Sequence, residues 1–243
     1  ATVRMQAGRA YIARLGLGAG FRNFSAELPS DLQLGQYDEV IQQHFVDTVL
    51  PNENRWVYPI LSLTFFENRY RVIRNLGGFA LSEDVSLGPF LFVSLRQPIE
   101  ALGSSDDLVV YSSHLTWREL YLGDGVVELG TATDGWYRIA EQNLDNQSLL
   151  VRFRIASPSL SIGRFVSRTD WLSYLEPESA VQVSLGGDNG LRGYPSKAFA
   201  ALGGSRLRSN VEYRTRPLAL AHLRFGLVGF YDAGLLYLSL IHI

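Results

Sequence analysis

Cysteine is absent from this chain, so no disulfide framework and no thiolate metal site can form. Long hydrophobic runs are absent too. No apolar stretch approaches the roughly 20 residues that a membrane-spanning helix requires. Charge of one sign is not in excess: 22 basic against 24 acidic residues leave a net charge of −2, which provides no basic face for nucleic acid. The four histidines (His44, His114, His222, His242) are scattered, without the i, i+4 spacing of a helical zinc pair. There is no Gly-x-Ser-x-Gly nucleophile turn. The glycine cluster Gly186-Gly187-Asp188-Asn189-Gly190 lacks the Gly-Lys-Ser/Thr ending of a phosphate loop, and a polar-faced strand pattern follows it in place of a helix. These absences predict a protein that is not an enzyme and uses no metal and no cofactor. At the N-terminus, Ala1-Thr2-Val3-Arg4-Met5 has neither the charged nor the apolar region of a signal peptide.

What is present is alternation. Hydrophobic residues make up 47% of the chain and aromatics 12%, yet mean hydropathy is only +0.03 and charged residues are 19%. Apolar residues that alternate with polar ones never accumulate into a run, which is the profile of a transmembrane barrel. Tyr11, Ala13, Leu15, Leu17, Ala19 and Phe21 occupy odd positions, whereas Arg14, Gly16, Gly18, Gly20 and Arg22 occupy even ones. That is period two over more than ten residues. A soluble strand averages about 5–6 residues, and a tilted membrane strand needs about 9–11.

The rhythm recurs at residues 57–65, 90–95, 108–117, 126–133 and 149–157, with a turn at Gly123-Asp124-Gly125. It is clearest at 206–216, where the even positions Arg206, Arg208, Asn210, Glu212, Arg214 and Arg216 are all polar. A short connection at 217–221 leads to a second alternating segment at 222–233, read as the other half of a hairpin, in which Arg224 and Asp232 share the polar face. Between Phe24 and Asn54 the period is lost. A short helix within 36–50 and a long surface loop fit that segment equally well. A second loop is expected at 75–89. Nothing reads as an interdomain linker, so residues 1–243 are expected to form one all-β unit, with short turns at one end and longer loops at the other.

The most informative stretch is Leu185-Gly186-Gly187-Asp188-Asn189-Gly190-Leu191-Arg192-Gly193-Tyr194-Pro195. Four glycines in it sacrifice backbone entropy, which is tolerated where a chain turns tightly or passes close to another surface. Arg192 then reads as a charge carried towards a partner on a shaped loop. On the even face, Glu212 and Asp232 are carboxylates that a wet, charged interior would supply by default.

Taken with Val211-Glu212-Tyr213-Arg214 and Gly229-Phe230-Tyr231-Asp232-Ala233-Gly234, the Leu191-Arg192-Gly193-Tyr194 loop resembles the signature of the bacterial outer-membrane insertase and two-partner-secretion transporter superfamily, the BamA-like barrels. Weaker similarity covers Arg74-Asn75-Leu76-Gly77-Gly78-Phe79 and Leu87-Gly88-Pro89, so about two-thirds of the chain carries the resemblance. The segment 24–54 finds no match. The resemblance implies an antiparallel transmembrane β-barrel in the outer membrane, incomplete here at roughly nine to twelve strands of about sixteen. Typical members carry periplasmic peptide-binding domains before the barrel and none is read here, so 1–243 is expected to be a partial C-terminal barrel domain, with its last few residues foreign to the natural sequence. It further implies that a loop with Gly187, Gly190, Leu191, Arg192, Gly193 and Tyr194 folds into the lumen. There Arg192 meets the wall at Asp232, with Glu212 as the second candidate, beside Gly229, Phe230 and Gly234. Gly193 would allow close approach to the wall, and Tyr194 and Pro195 would stiffen the return. The implied partners are unfolded or partly folded outer-membrane or secreted polypeptides, the lipid bilayer, and periplasmic chaperones or accessory lipoproteins. Two other roles fit a similar rhythm: the membrane anchor of a patatin-like lipase and a simple diffusion porin. A soluble β-sandwich binding module is the non-membrane alternative.

Overall fold

The computed structural model describes residues 2–25, 38–49, 53–77, 81–176, 181–187, 190–202 and 204–237. Gly78, Phe79, Asp188, Asn189, residues 26–37 and the tail 238–243 lie outside the described residues. The chain is all-β. Strands β1 (Thr2–Ala7) and β2 (Tyr11–Phe24) precede the one α-helix described, α1 (Glu39–Val49). Then come β3 (Asn54–Glu67), β4 (Arg69–Arg74), β5 (Ser82–Arg96), β6 (Leu108–Tyr121), β7 (Gly125–Arg138), β8 (Asn143–Ala156) and β9 (Gly163–Leu175). A short pair, β10 (Gln182–Leu185) and β11 (Phe199–Leu202), separates β9 from β12 (Ser205–Thr215). A second pair, β13 (Leu218–Leu220) and β14 (Leu223–Phe225), precedes β15 (Val228–Tyr237).

Eleven strands form one large antiparallel sheet in the order β1-β2-β3-β5-β6-β7-β8-β9-β12-β15, with β4 attached to β5. Among the described residues β1 and β15 end this path and do not pair with each other. Strands β2, β3 and β5 to β9 run 13–15 residues each, more than twice the usual length in soluble sheets.

Register is what makes the sequence alternation matter. Odd positions pair with odd positions across the sheet, as in Leu17↔Leu61, Leu61↔Leu95, Leu129↔Phe153, Val151↔Trp171 and Leu207↔Leu235. The register slips only past the bulge at Asp134/Trp136. Because the side-chain period along a strand is two, shared parity puts the odd residues of this path on one face, except past that bulge and in the half of β5 before Gly88. That face is apolar and uncovered: Leu17 is 51% exposed, Trp117 47% and Leu129 50%. The even face carries most of the arginines and carboxylates. A compact globule of 27.1 kDa would expose about 10,900 Å², whereas this chain exposes 15727 Å². An apolar face with no second layer over it contributes to that excess.

Two sequence expectations need correction. Residues 75–89 are not a loop: most of them belong to β5, whose first half pairs with β4 and whose second half pairs with β3 and β6. The strand changes partners at Gly88, where φ is +80° and a Cβ would lie 2.0 Å from the Glu67 carboxylate, so only glycine fits. The β4–β5 hairpin folds over the even face, and Ile73, Leu76, Val85 and Leu87 pack on Val126, Ala156 and Val166. Residues 222–233, likewise, are not one strand. The chain turns at Ala221 and leaves the strand conformation again after β14, so Arg224 and Asp232 lie on separate strands. Of the two readings open for 36–50, helix or surface loop, the structure has a helix, α1. The expected division of ends is partial, because the end carrying the tight turn 122–124 also carries the β4–β5 hairpin.

Candidate functional site

The β10–β11 pair leaves the sheet path and lies against the even face of β12 and β15. Three contacts seat it. Arg206 Nη1 donates to the Ser184 carbonyl at 3.1 Å. The Leu185 side chain covers Gly234, where a Cβ would meet it at 2.6 Å. Leu191 is buried with Leu185. Between the two strands the loop doubles back through a bridge from Gly187 to Leu191, with the Gly187 N–H donating to the Leu191 carbonyl at 3.0 Å.

This turn delivers Arg192 to a pair of carboxylates. Its Nε and Nη2 donate to the two oxygens of Asp232 at 2.9 and 2.7 Å, and its backbone N–H donates to Asp232 Oδ2 at 2.9 Å. Nη1 donates to Glu212 Oε1 at 2.6 Å. The guanidinium lies 3.9 Å from the centre of the Phe230 ring, a cation–π contact that uses the ring's negative face. The Asp232 side chain is only 3% exposed, while that of Arg192 is 36% exposed. The hydrogen-bonded Asp232 carboxylate, with Glu212 adding to it, makes the Arg192 guanidinium harder still to deprotonate than usual. Bidentate geometry fixes direction as well as distance.

The resemblance implies Asp232 as the partner of Arg192 and Glu212 as the second candidate, and Arg192 contacts both. The close approach to the wall expected of Gly193 falls to Gly190 instead. Gly190 is the residue pressed to the wall, since a Cβ there would sit 2.0 Å from Arg208 Cδ; Gly193 faces open space and serves a φ of +88°. Tyr194 is 53% exposed and packs edge-on against Phe199 of β11 at 5.2 Å, bracing the return of the loop. Gly229 stands opposite Tyr213 on the odd face, with open space around it.

Three contributors escaped the sequence reading of this site. Asn210, opposite Asp232 in the register, donates at 2.7 Å to both Asp232 Oδ1 and the Gly190 carbonyl. Arg214 Nε donates to Glu212 Oε2 at 2.7 Å, and its Nη1 donates to the Leu76 carbonyl at 2.7 Å. The tip of the β4–β5 hairpin and the Arg192 loop, entering from opposite ends of the sheet, are therefore joined through Arg214 and Glu212. Even parity could have flagged Asn210 and Arg214; a backbone carbonyl has no signature in sequence. Among the described residues no group of three or more His, Asp or Glu side chains is arranged to hold a metal ion.

No protein family matches this chain, and neither the curated proteins nor the solved structures yield a match.

Proposed function

We propose that this chain is part of an outer-membrane β-barrel that inserts or translocates polypeptides, with the Arg192 loop as its internal lock. The observation that carries the reading is the seating of Arg192 on Asp232 and Glu212, at the charged face of a sheet whose other face is apolar and exposed. Exposed apolar surface on this scale marks a surface that meets lipid or a partner. Strands of 13–15 residues exceed the 9–11 or so that cross a bilayer when tilted. Curling this sheet with the odd face outward would present Leu17, Leu61, Leu129 and Phe153 to lipid and enclose the arginines in a wet lumen. No described helix is long and apolar enough to cross a membrane, which says nothing about strands.

The mechanism involves no bond chemistry. An unpaired strand edge offers main-chain hydrogen bonds to an extended segment of an unfolded outer-membrane or secreted polypeptide without demanding its sequence. The lock sets the state of the wall that such a segment meets. Both partners of a buried ion pair lose water, so its net contribution to stability is small and its value lies in fixing position. That suits a loop that must hold and release. The lipid bilayer is the surrounding partner, and chaperones or accessory lipoproteins would deliver the substrate.

Arg192→Ala in the protein as it occurs in the membrane tests this reading. Assembly or secretion of substrate polypeptide should fall several-fold, while the amount of the protein in the membrane fraction holds. Unchanged substrate handling, accompanied by a large, static ion conductance indifferent to Arg192, would contradict the proposal and favour a passive pore.

A further inference from the structure

The even face carries a second charged cluster that the lock does not use. Asp170 on β9 is 1% exposed. Arg152 Nε donates to its Oδ1 at 2.7 Å, Arg168 Nε donates to its Oδ2 at 2.9 Å, and Arg208 Nη2 donates to Oδ2 as well. Arg152 and Arg208 are its direct cross-strand partners on either side. One buried carboxylate therefore answers three guanidinium groups.

The next row repeats the imbalance. Arg154 stands directly opposite Arg168, a like-charge pairing that weakens a sheet, and their guanidiniums part towards Leu76 and Asp170. The carboxylate on the other side of Arg154, Glu128, is held by Arg118, whose Nε donates to it at 2.7 Å. Arg154 makes one hydrogen bond among the described residues, from Nη2 to the Leu76 carbonyl at 3.3 Å. Arg152 and Arg168 each engage Asp170 through Nε alone. Their Nη groups have no acceptor among the described residues.

These side chains do not point into solvent at random. With Arg192, Arg208 and Arg214 they line one cavity of about 670 Å³. Among the described residues six arginines border it against five carboxylates, counting Glu128 and Glu212 in its lining, Asp170 and Asp232 in the wall behind, and Glu83, which accepts from Gly77 at its rim. The Arg152 and Arg168 side chains are 33% and 41% exposed, so their free N–H donors open onto this cavity, where an anion would satisfy them.

We propose that this cavity binds a phosphate-type oxyanion, contacted by Arg154 and by the free Nη groups of Arg152 and Arg168. A planar guanidinium presents two parallel donors that match phosphate oxygens. Several lining one cavity suit a multivalent anion better than a single carboxylate. The cavity falls in the size range of small-molecule sites, leaving room for a polyphosphate or a phosphorylated lipid headgroup. This site does not depend on the polypeptide-handling reading, and its test leaves Arg192 intact.

The test is calorimetric titration of the full chain in uncharged detergent. Two probes are used: inorganic tripolyphosphate, and mixed micelles of the same detergent with phosphatidic acid. Saturable binding of either probe, weakening as salt rises, is expected. Binding of the micelles alone would assign the site to a lipid headgroup, and binding of tripolyphosphate alone to a free phosphate compound. The double variant Arg154→Gln, Arg168→Gln should weaken binding at least tenfold, whereas Arg14→Gln on β2 should not. The same probe should raise the unfolding temperature of the unaltered chain and leave that of the double variant in place. Should the double variant not fold, Arg154→Lys keeps the charge but loses the fork, and it should weaken binding several-fold. Absence of saturable binding at low salt, or equal binding by all variants, would overturn the proposal.

Discussion

Two elements fold onto the charged face from opposite ends, and they are held by different forces. The β4–β5 hairpin is seated by burial: Ile73, Leu76, Val85 and Leu87 are each 5% exposed or less, and they pack on apolar residues of β7, β8 and β9. Its root is fastened by Arg69, which is shared between Glu67 and Glu119. The loop around Arg192 is seated chiefly by charge, with Leu185 and Leu191 as its modest apolar footing. Hydrophobic burial is non-directional and grows with area. A buried ion pair is directional and contributes little net stability, because its desolvation offsets its attraction. The hairpin is therefore built as a fixture and the loop as a latch.

The largest effect should come from the fixture. Leu76→Ala should cost about 2–4 kcal/mol, read as a shift in denaturant midpoint for the detergent-solubilised chain. A loss no greater than that of an exposed substitution would mean that the hairpin is not packed as described. On the latch side, Gly234→Ala should force Leu185 off the wall, since the new Cβ would meet it at 2.6 Å. Overpacking of this kind costs about 1 kcal/mol or somewhat more. It should speed proteolysis within the loop and leave the hairpin protected; equal sensitivity of both elements would erase the distinction.

How much of this was legible in the sequence follows from the range of each signal. Period-two alternation is local, so the β2, β6, β8 and β12 patterns were readable, though β6 and β8 run further than their apolar residues suggested. The lock is long-range: 40 residues separate Arg192 from Asp232. Even parity placed Asp232 and Glu212 on the polar face, but a family resemblance supplied the pairing. The β4–β5 hairpin was missed because Ser82-Glu83-Asp84-Val85-Ser86-Leu87-Gly88-Pro89 looks polar and broken. Pairing with β4 makes it a strand, and burying only Val85 and Leu87 suffices to seat it. The segment 222–233 misled in the opposite direction: its alternation continues through a turn that local pattern does not reveal.

The smallest effect concerns acid. Arg164, whose side chain is 2% exposed, donates to the Arg74 carbonyl at 3.1 Å, the Asp124 carbonyl at 2.9 Å, the Ser159 hydroxyl at 3.1 Å and the Asp124 carboxylate. It thus ties the tip end of the hairpin to the 122–124 turn. Partial burial pushes the Asp124 carboxyl upward, but hydrogen bonds from Ser159 and the charge of Arg164 outweigh it and leave it below the usual aspartate range. A lowered carboxyl contributes stability that is complete above its ordinary pKa of about 4 and is lost as pH falls through the lower folded value. The drop in unfolding temperature below about pH 4 should therefore be slightly smaller in Asp124→Asn than in the unaltered chain. Identical acid profiles would remove this tie from the account of the hairpin.

The difference between latch and fixture is tested most directly by amide hydrogen exchange, because the Arg192 N–H itself donates to Asp232. In the unaltered chain the amides of Arg192, Ile73 and Val85 should all exchange slowly. In Asp232→Asn the Arg192 amide should exchange at least about tenfold faster, which corresponds to about 1.4 kcal/mol of lost closure, while Ile73 and Val85 keep their protection. An Arg192 amide unmoved by the substitution, or one that changes in step with Ile73 and Val85, would contradict a separable ionic latch.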